Sequence, residues 1–239
     1  MIPQIINLGP IPINSFGLMV ALALMAGIFI LGRSFEYNGI KKHLAEKYVI
    51  WGGIGGLIGA RLWYIFISHW DVVKADLWGA FTSSAGFVFY GGFIISFVIL
   101  VTMAKRDKLS FWKFLDSFGP AMTLGYAVGR LGCQLSGDGD YGITTDSILG
   151  MSYATGVIPT APGVLAFPTP FYESTISMLA LYFLLKVEIA PKWQAAGKRF
   201  GLYLALLGIE RLIIEFFRRN PKILSLSFEL LVQILILLL

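Results

Sequence analysis

Arginine and acidic side chains sit where this chain is otherwise apolar. Arg61, Arg130, Glu173, Arg211 and Glu215 fall inside or at the ends of long hydrophobic runs. Tyr90 and Tyr172 lie in the same zones, and Asp138 and Asp140 follow just past one run. A charge at the centre of a membrane span costs about 2.5–3.5 kcal/mol on insertion scales, so each is a functional candidate. Two or three arginines converging with carboxylates suit a phosphate. A guanidinium grips phosphate oxygens through two parallel N–H bonds and keeps its charge in apolar surroundings. Arg211 and Glu215 are spaced i, i+4 and share a helical face. That spacing fits a structural ion pair as well as a site. Glu210 lies about 100° round the helix from Arg211.

The elements that must position these residues are membrane spans. Of the 239 residues, 56% are hydrophobic and 14% charged, and mean hydropathy is +0.75. A soluble domain is about a quarter charged, so a water-soluble fold would lack polar surface to cover this core. Seven runs approach the roughly 20 residues that cross a bilayer. They lie at roughly 14–33, 46–68, 86–104, 112–133, 170–187, 200–217 and 224–239. The expected fold is an all-α polytopic membrane protein, a single domain over 1–239, with a structured outer loop at 134–169. That loop is rich in Gly, Ser, Thr, Asp and Pro, and its SGDGDYG and APG segments are turn chemistry. No internal repeat is evident, which weighs against an inverted-repeat transporter. The opening MIPQIINLGPIPINSFG carries no Lys or Arg, so the first span itself is expected to direct insertion.

Basic residues set the orientation. Arg33, Lys41, Lys42 and Lys47 fall around loop 1–2, Lys105, Arg106, Lys108 and Lys113 around loop 3–4, and Lys186, Lys192, Lys198 and Arg199 around loop 5–6. The tail and loop 4–5 have none, and loop 2–3 has only Lys74. The positive-inside rule then puts the N-terminus outside and the C-terminus inside. Loop 6–7, with Arg218, Arg219 and Lys222, falls outside and disagrees. The net charge of +5 lies in short loops, which points to a membrane surface and not to nucleic acid. On this topology most intramembrane charges sit near the outer leaflet, at the height of a lipid head group. Asp116 and Glu229 are the exceptions, toward the inner side.

Other motifs point to packing. GGIGGLIGAR at 52–61 has small-xxx-small spacing, which in a membrane mostly means close helix approach. The single cysteine, Cys133, excludes an internal disulfide and a multi-cysteine metal site. At a helix end it reads first as a small packing residue. His43 and His69 fall in loops on opposite sides and are not placed as bases.

At GRLGCQLSGDGDYG, residues 129–142, the chain resembles the signature G-R-x-G-N-F-x-N-x-E-x-x-G of the prolipoprotein diacylglyceryl transferases. SFGLM at 15–19 is similar to that family's W-Y-G-L-M, GARLWY at 59–64 to its G-x-R-x-x-Y, and FYGGF at 89–93 to its F-H-G-G. FPTPFYE at 167–173 and ERLIIEFFR at 210–218 are similar to its H-P-[ST]-Q-L-Y-E and R-x-x-x-E-x-F-R. The resemblance implies a seven-span bacterial inner-membrane enzyme, N-terminus out and C-terminus in, without metal or organic cofactor. It implies transfer of the diacylglyceryl group of phosphatidylglycerol to the lipobox cysteine in a prolipoprotein signal peptide, releasing glycerol phosphate. By resemblance Arg130 and Arg211 hold the phosphate, Glu215 orients Arg211, and Asp138 stands for the signature glutamate. The matched segments add Arg61, Gly91, Gly92, Gln134, Ser136, Gly142, Tyr172, Glu173 and Arg218 as substrate-binding positions. Departures are Tyr90 for the family histidine, Cys133, Gln134 and Ser136 for Asn, Phe and Asn, Asp138 for Glu, and Phe16 for the first-helix tyrosine. With a reference pKa near 10, Tyr90 is expected to act as a hydrogen-bonding group and not as a base. The alternatives are a paralogue that binds phospholipid or lipoprotein without transfer, and a transporter.

Overall fold

The computed structural model describes residues 1–8, 11–68, 74 and 88–219. The expected span 224–239, Lys222, Glu229, His69 and most of loop 2–3 lie outside the described residues. Six α-helices stand among the described residues, where the first six spans are expected: α1 Ser15–Tyr37, α2 Leu44–Trp63, α3 Phe89–Arg106, α4 Phe111–Ser136, α5 Thr169–Glu188 and α6 Lys198–Glu215. A π-helical turn, Tyr64–Ser68, extends α2, and a 3₁₀ turn, Pro191–Trp193, precedes α6. Ahead of α1 the Pro-rich start forms an antiparallel hairpin, β1 Gln4–Leu8 with β2 Ile11–Asn14. The outer loop carries a two-residue pair, β3 Met151–Ser152 with β4 Leu165–Ala166.

The helices divide by polarity. Ser15–Tyr37, Leu44–Phe66 and Phe89–Arg106 are long and apolar enough to cross a bilayer, and only 17–22% of each apolar window is buried within the protein. Their exposed Leu, Ile and Phe faces need an apolar solvent. The more polar helices α4, α5 and α6 pack on one another, and α4 also packs along α1, with Asp116, Glu173, Glu188, Arg199 and Glu210 buried within the protein.

Glycines set the α2–α3 crossing. A Cβ on Gly59 would lie 2.4 Å from the Gly91 carbonyl oxygen, one on Gly91 2.2 Å from Trp63 Cβ, and one on Gly92 2.8 Å from the Gly56 oxygen. The backbones meet because neither helix has a side chain there. Gly91 and Gly92, expected at a substrate, are therefore occupied in packing against α2.

A second polar cluster lies at the end opposite the outer loop. Asp116 on α4 accepts from the Gly197 and Phe200 N–H groups, each at 2.8 Å, and so caps α6. Arg199 on α6 lies 3.9 Å from Asp116 and 3.8 Å from Glu188 of α5, and its Nη2 donates to Asn38 Oδ1. Ser34 Oγ donates to Glu188, and Asn38 Nδ2 donates to Ser117 Oγ at 2.7 Å. Ser34, Asp116, Ser117, Glu188 and Arg199 are all buried. Asp116, isolated in the sequence reading, is thus one member of a network whose partners come from helix ends. Nearby, Lys47 Nζ donates to Asp107 at 2.9 Å. That bond, with a second from the Tyr48 hydroxyl, holds the Asp107 carboxyl below its usual range.

Candidate active site

The site is built where α4, α5 and α6 meet the outer loop. α4 presents Tyr126 and Arg130 one turn apart on one face. It stops at Gly137, whose left-handed backbone (φ 61°) lets its N–H bond to the Cys133 carbonyl at 2.9 Å. The chain then turns back through Asp138 and Asp140. Thr169 opens α5 and donates to the Asp140 carbonyl at 2.7 Å, which places Glu173 one turn further on, facing α4 and α6.

Glu173 is the hub. Its Oε2 pairs with Arg130 Nε, and its Oε1 accepts from Arg211 Nη1 at 3.1 Å. Both guanidiniums face the Tyr126 ring, their Cζ atoms 5.2 and 5.6 Å from its centroid, a cation–π arrangement worth most when desolvated. Arg130 Nε also donates to the Tyr126 hydroxyl at 3.1 Å, and Nη1 pairs with Asp140. The Glu173 side chain is 2% exposed, against 12% for Arg130 and 22% for Arg211. The carboxylate is sealed, while each arginine side chain stays partly exposed. The neighbouring Glu210 is buried and turned to Ser177 of α5, whose hydroxyl lies 2.9 and 2.8 Å from its two oxygens.

The outer loop is tied down by residues expected to touch substrate. Gln134 Oε1 accepts from the buried Tyr153 hydroxyl at 2.8 Å. Burial pushes the Tyr153 phenol up to about 12, so it remains a donor at neutral pH. Ser136 donates to the Cys133 carbonyl at 3.1 Å, and its own carbonyl accepts from Val157 N–H at 2.9 Å. Gly142 sits where a Cβ would come 2.2 Å from the Phe217 oxygen. Ile143 N–H donates to that same oxygen at 2.8 Å. Tyr172 donates to the Leu149 carbonyl at 3.3 Å. The end of α6 therefore lies against the outer loop, with Arg219 stacked 5.5 Å from the Tyr141 ring.

The remaining expected residues spread more widely. Asp138 accepts from the Asp140 N–H at 3.3 Å, and donor atoms of Cys133, Asp138 and Asp140 lie within 4.8 Å of one another. Arg61 is buried on α2 with its guanidinium 5.6 Å from the Tyr64 ring. Tyr90 is 53% exposed at the start of α3, edge-on to Phe89. Glu215 ends α6 half-buried, and its carbonyl accepts from Arg218 N–H at 3.4 Å. Tyr126, absent from the sequence reading, had one available signal: its i, i+4 spacing to Arg130.

An apolar helical protein with a sealed Glu between two arginines, beside a folded loop, has the make-up of a membrane protein with a polar, cation-bearing site. The chain matches the prolipoprotein diacylglyceryl transferase family over residues 3–239 and belongs to it. It is 28% identical to the phosphatidylglycerol–prolipoprotein diacylglyceryl transferase of Leptospira interrogans, over 88% of this chain and 73% of that one. It is 29% identical to the enzyme of that name from Clostridium tetani, covering 93% and 87%. It is 33% identical to that from Chlorobaculum tepidum, covering 91% and 78%.

The shared carboxylate makes the charges interdependent. Glu173→Gln should lower the thermal midpoint in detergent, since it leaves two partly buried cations without their shared counter-charge, a loss of up to about 3–5 kcal/mol. Adding Arg211→Gln should recover part of it, with a coupling of roughly 0.5–3 kcal/mol in the double-mutant cycle. Strictly additive losses would mean that Glu173 does not bind the arginines together.

Proposed function

We propose that this protein transfers the diacylglyceryl group of phosphatidylglycerol to the lipobox cysteine thiol of prolipoproteins. The observation that carries the reading is the Arg130–Glu173–Arg211 group, held by three helices with both arginine side chains partly exposed, in a chain of this family. The reaction breaks the carbon–oxygen bond between the glycerol carbon and the phosphate. Electrons leave onto the phosphate oxygen, and fixed cations at that point lower the barrier. Glu173 holds the two guanidiniums in register, and the Tyr126 ring orients them. Asp140, 43% exposed on the loop and paired with Arg130, is the carboxylate that an incoming phosphate displaces.

The membrane arrangement follows the same logic. The chain crosses the bacterial inner membrane seven times, N-terminus outside, with the Arg130 site in the outer leaflet where phosphatidylglycerol and secreted prolipoproteins meet. Contact of residues 216–219 with the outer loop supports an outer position for loop 6–7 despite its basic residues. The Lys47–Asp107 and Arg199–Asn38 contacts gather three basic loops at the opposite end, as the positive-inside rule asks.

Incubation of the purified protein with phosphatidylglycerol and a lipobox peptide should add a diacylglyceryl mass to the peptide. Arg130→Ala or Arg211→Ala should each lower transfer by about ten- to a hundredfold or more, by removing a charge-assisted contact of roughly 1.5–3 kcal/mol. Arg→Lys should rescue poorly. An unmodified peptide with wild-type protein would point to a binding protein, and full turnover in both Ala variants would remove the phosphate site. For orientation, a cysteine at the 98% exposed Ile148, in a Cys133→Ser background, should react with an impermeant maleimide in intact spheroplasts. One at Lys192 should react only after lysis, and the reverse pattern would invert the topology.

A further inference from the structure

Beside the arginine site lies a separate cavity of ≈ 260 Å³ that the phosphate chemistry does not use. Its walls are Pro3 and Asn14 of the N-terminal hairpin, Phe16 at the start of α1, Ser136 and Asp138 at the end of α4, and Val157 of the outer loop. The walls are fastened to one another. Ile2 N–H donates to the Leu135 carbonyl at 2.8 Å, Val157 N–H to the Ser136 carbonyl at 2.9 Å, and Ile158 N–H to the Gly137 carbonyl at 2.9 Å. The N-terminal ammonium donates to Thr155 at 2.9 Å. Gly132 lets α4 approach the Phe16 ring, since a Cβ there would lie 3.1 Å from it.

The single charge in this wall is Asp138, whose carboxylate accepts from the Asp140 N–H, and Asp140 in turn pairs with Arg130. The cavity thus adjoins the phosphate site through two residues. A carboxylate in the wall repels a lipid phosphate but can take a proton from a thiol. The two segments that form the walls carry exposed apolar side chains: Ile5 and Ile6 of the hairpin are 42% and 52% exposed, and Val157 and Ile158 of the outer loop 61% and 54%.

We infer that this cavity between the N-terminal hairpin and the outer loop seats the extended, apolar, cysteine-bearing segment of the acceptor polypeptide, with Asp138 receiving the thiol proton. The inference rests on the transferase reading above. The S–H proton passes to an Asp138 oxygen. The thiolate sulfur bonds to the glycerol carbon, and the carbon–oxygen bond breaks with its electron pair going to the phosphate held at Arg130 and Arg211.

The cavity-filling variant Val157→Trp changes a surface position. It should raise KM for a lipobox peptide by about tenfold while leaving kcat and KM for phosphatidylglycerol near wild type. An unchanged peptide KM, or a raised lipid KM instead, would overturn the assignment. A readout independent of turnover is a disulfide between Val157→Cys, in a Cys133→Ser background, and the peptide cysteine. It should form faster than with a cysteine at Ile148. Equal rates at both positions would overturn the peptide site. Failure of wild-type protein to modify any peptide would fault the transferase reading, and the cross-link would still report on the cavity.

Discussion

The Glu173 carboxylate, sealed between Arg130 and Arg211, is the interaction on which the rest depends. Two guanidiniums cannot share one apolar pocket without a counter-charge, and Glu173 supplies it from a third helix. The same three helices are tied again at their other ends by Asp116, Glu188 and Arg199. Each helix contributes one charged side chain to each cluster, about 20 Å apart along its axis. Sliding one helix past another by a turn would break both clusters together, leaving charges stranded in apolar surroundings. The pair of clusters fixes the register of α4, α5 and α6, and so fixes the distance between the two cations of the site.

This arrangement explains why the less apolar spans are central. α1, α2 and α3 can meet lipid because they carry little to desolvate. Where two of them must approach, glycines at 56, 59, 91 and 92 do the work, and GGIGGLIGAR is a packing face. The outer loop completes the site by backbone bonding to α4 and to the residues after α6. Of the basic residues after α6 that run against the simplest charge count, Arg218 and Arg219 follow Phe217, whose carbonyl bonds to that loop, and Arg219 finds its partner in the Tyr141 ring.

Much of this was legible in the sequence because a charge in an apolar run is costly enough to be conspicuous. Arg130, Glu173 and Arg211 stand out for that reason, and six helices lie at the positions of the first six runs. Tyr126 did not stand out, since a tyrosine in an apolar helix is ordinary until its ring is seen facing two guanidiniums. Glu188 and Arg199 lie at helix ends, where charges normally face water, so their burial was invisible to a one-dimensional reading. The N-terminal hairpin escaped notice because Pro3, Pro10 and Pro12 argue against paired strands. Gln134, Ser136 and Gly142, grouped with the substrate by resemblance, also hold the loop through contacts with Tyr153, Val157 and Phe217, which a one-dimensional reading does not show.

Under the proposed function, the arginine pair recognises the phosphate of the lipid and not its acyl chains. The most direct measurement is lipid retention by native mass spectrometry of protein from nanodiscs containing equal phosphatidylglycerol and diacylglycerol. Wild-type protein should retain phosphatidylglycerol and release diacylglycerol, and a variant with Arg130→Gln and Arg211→Gln should lose that preference. Equal retention of both lipids by wild-type protein, or an undiminished preference in the double variant, would contradict the account.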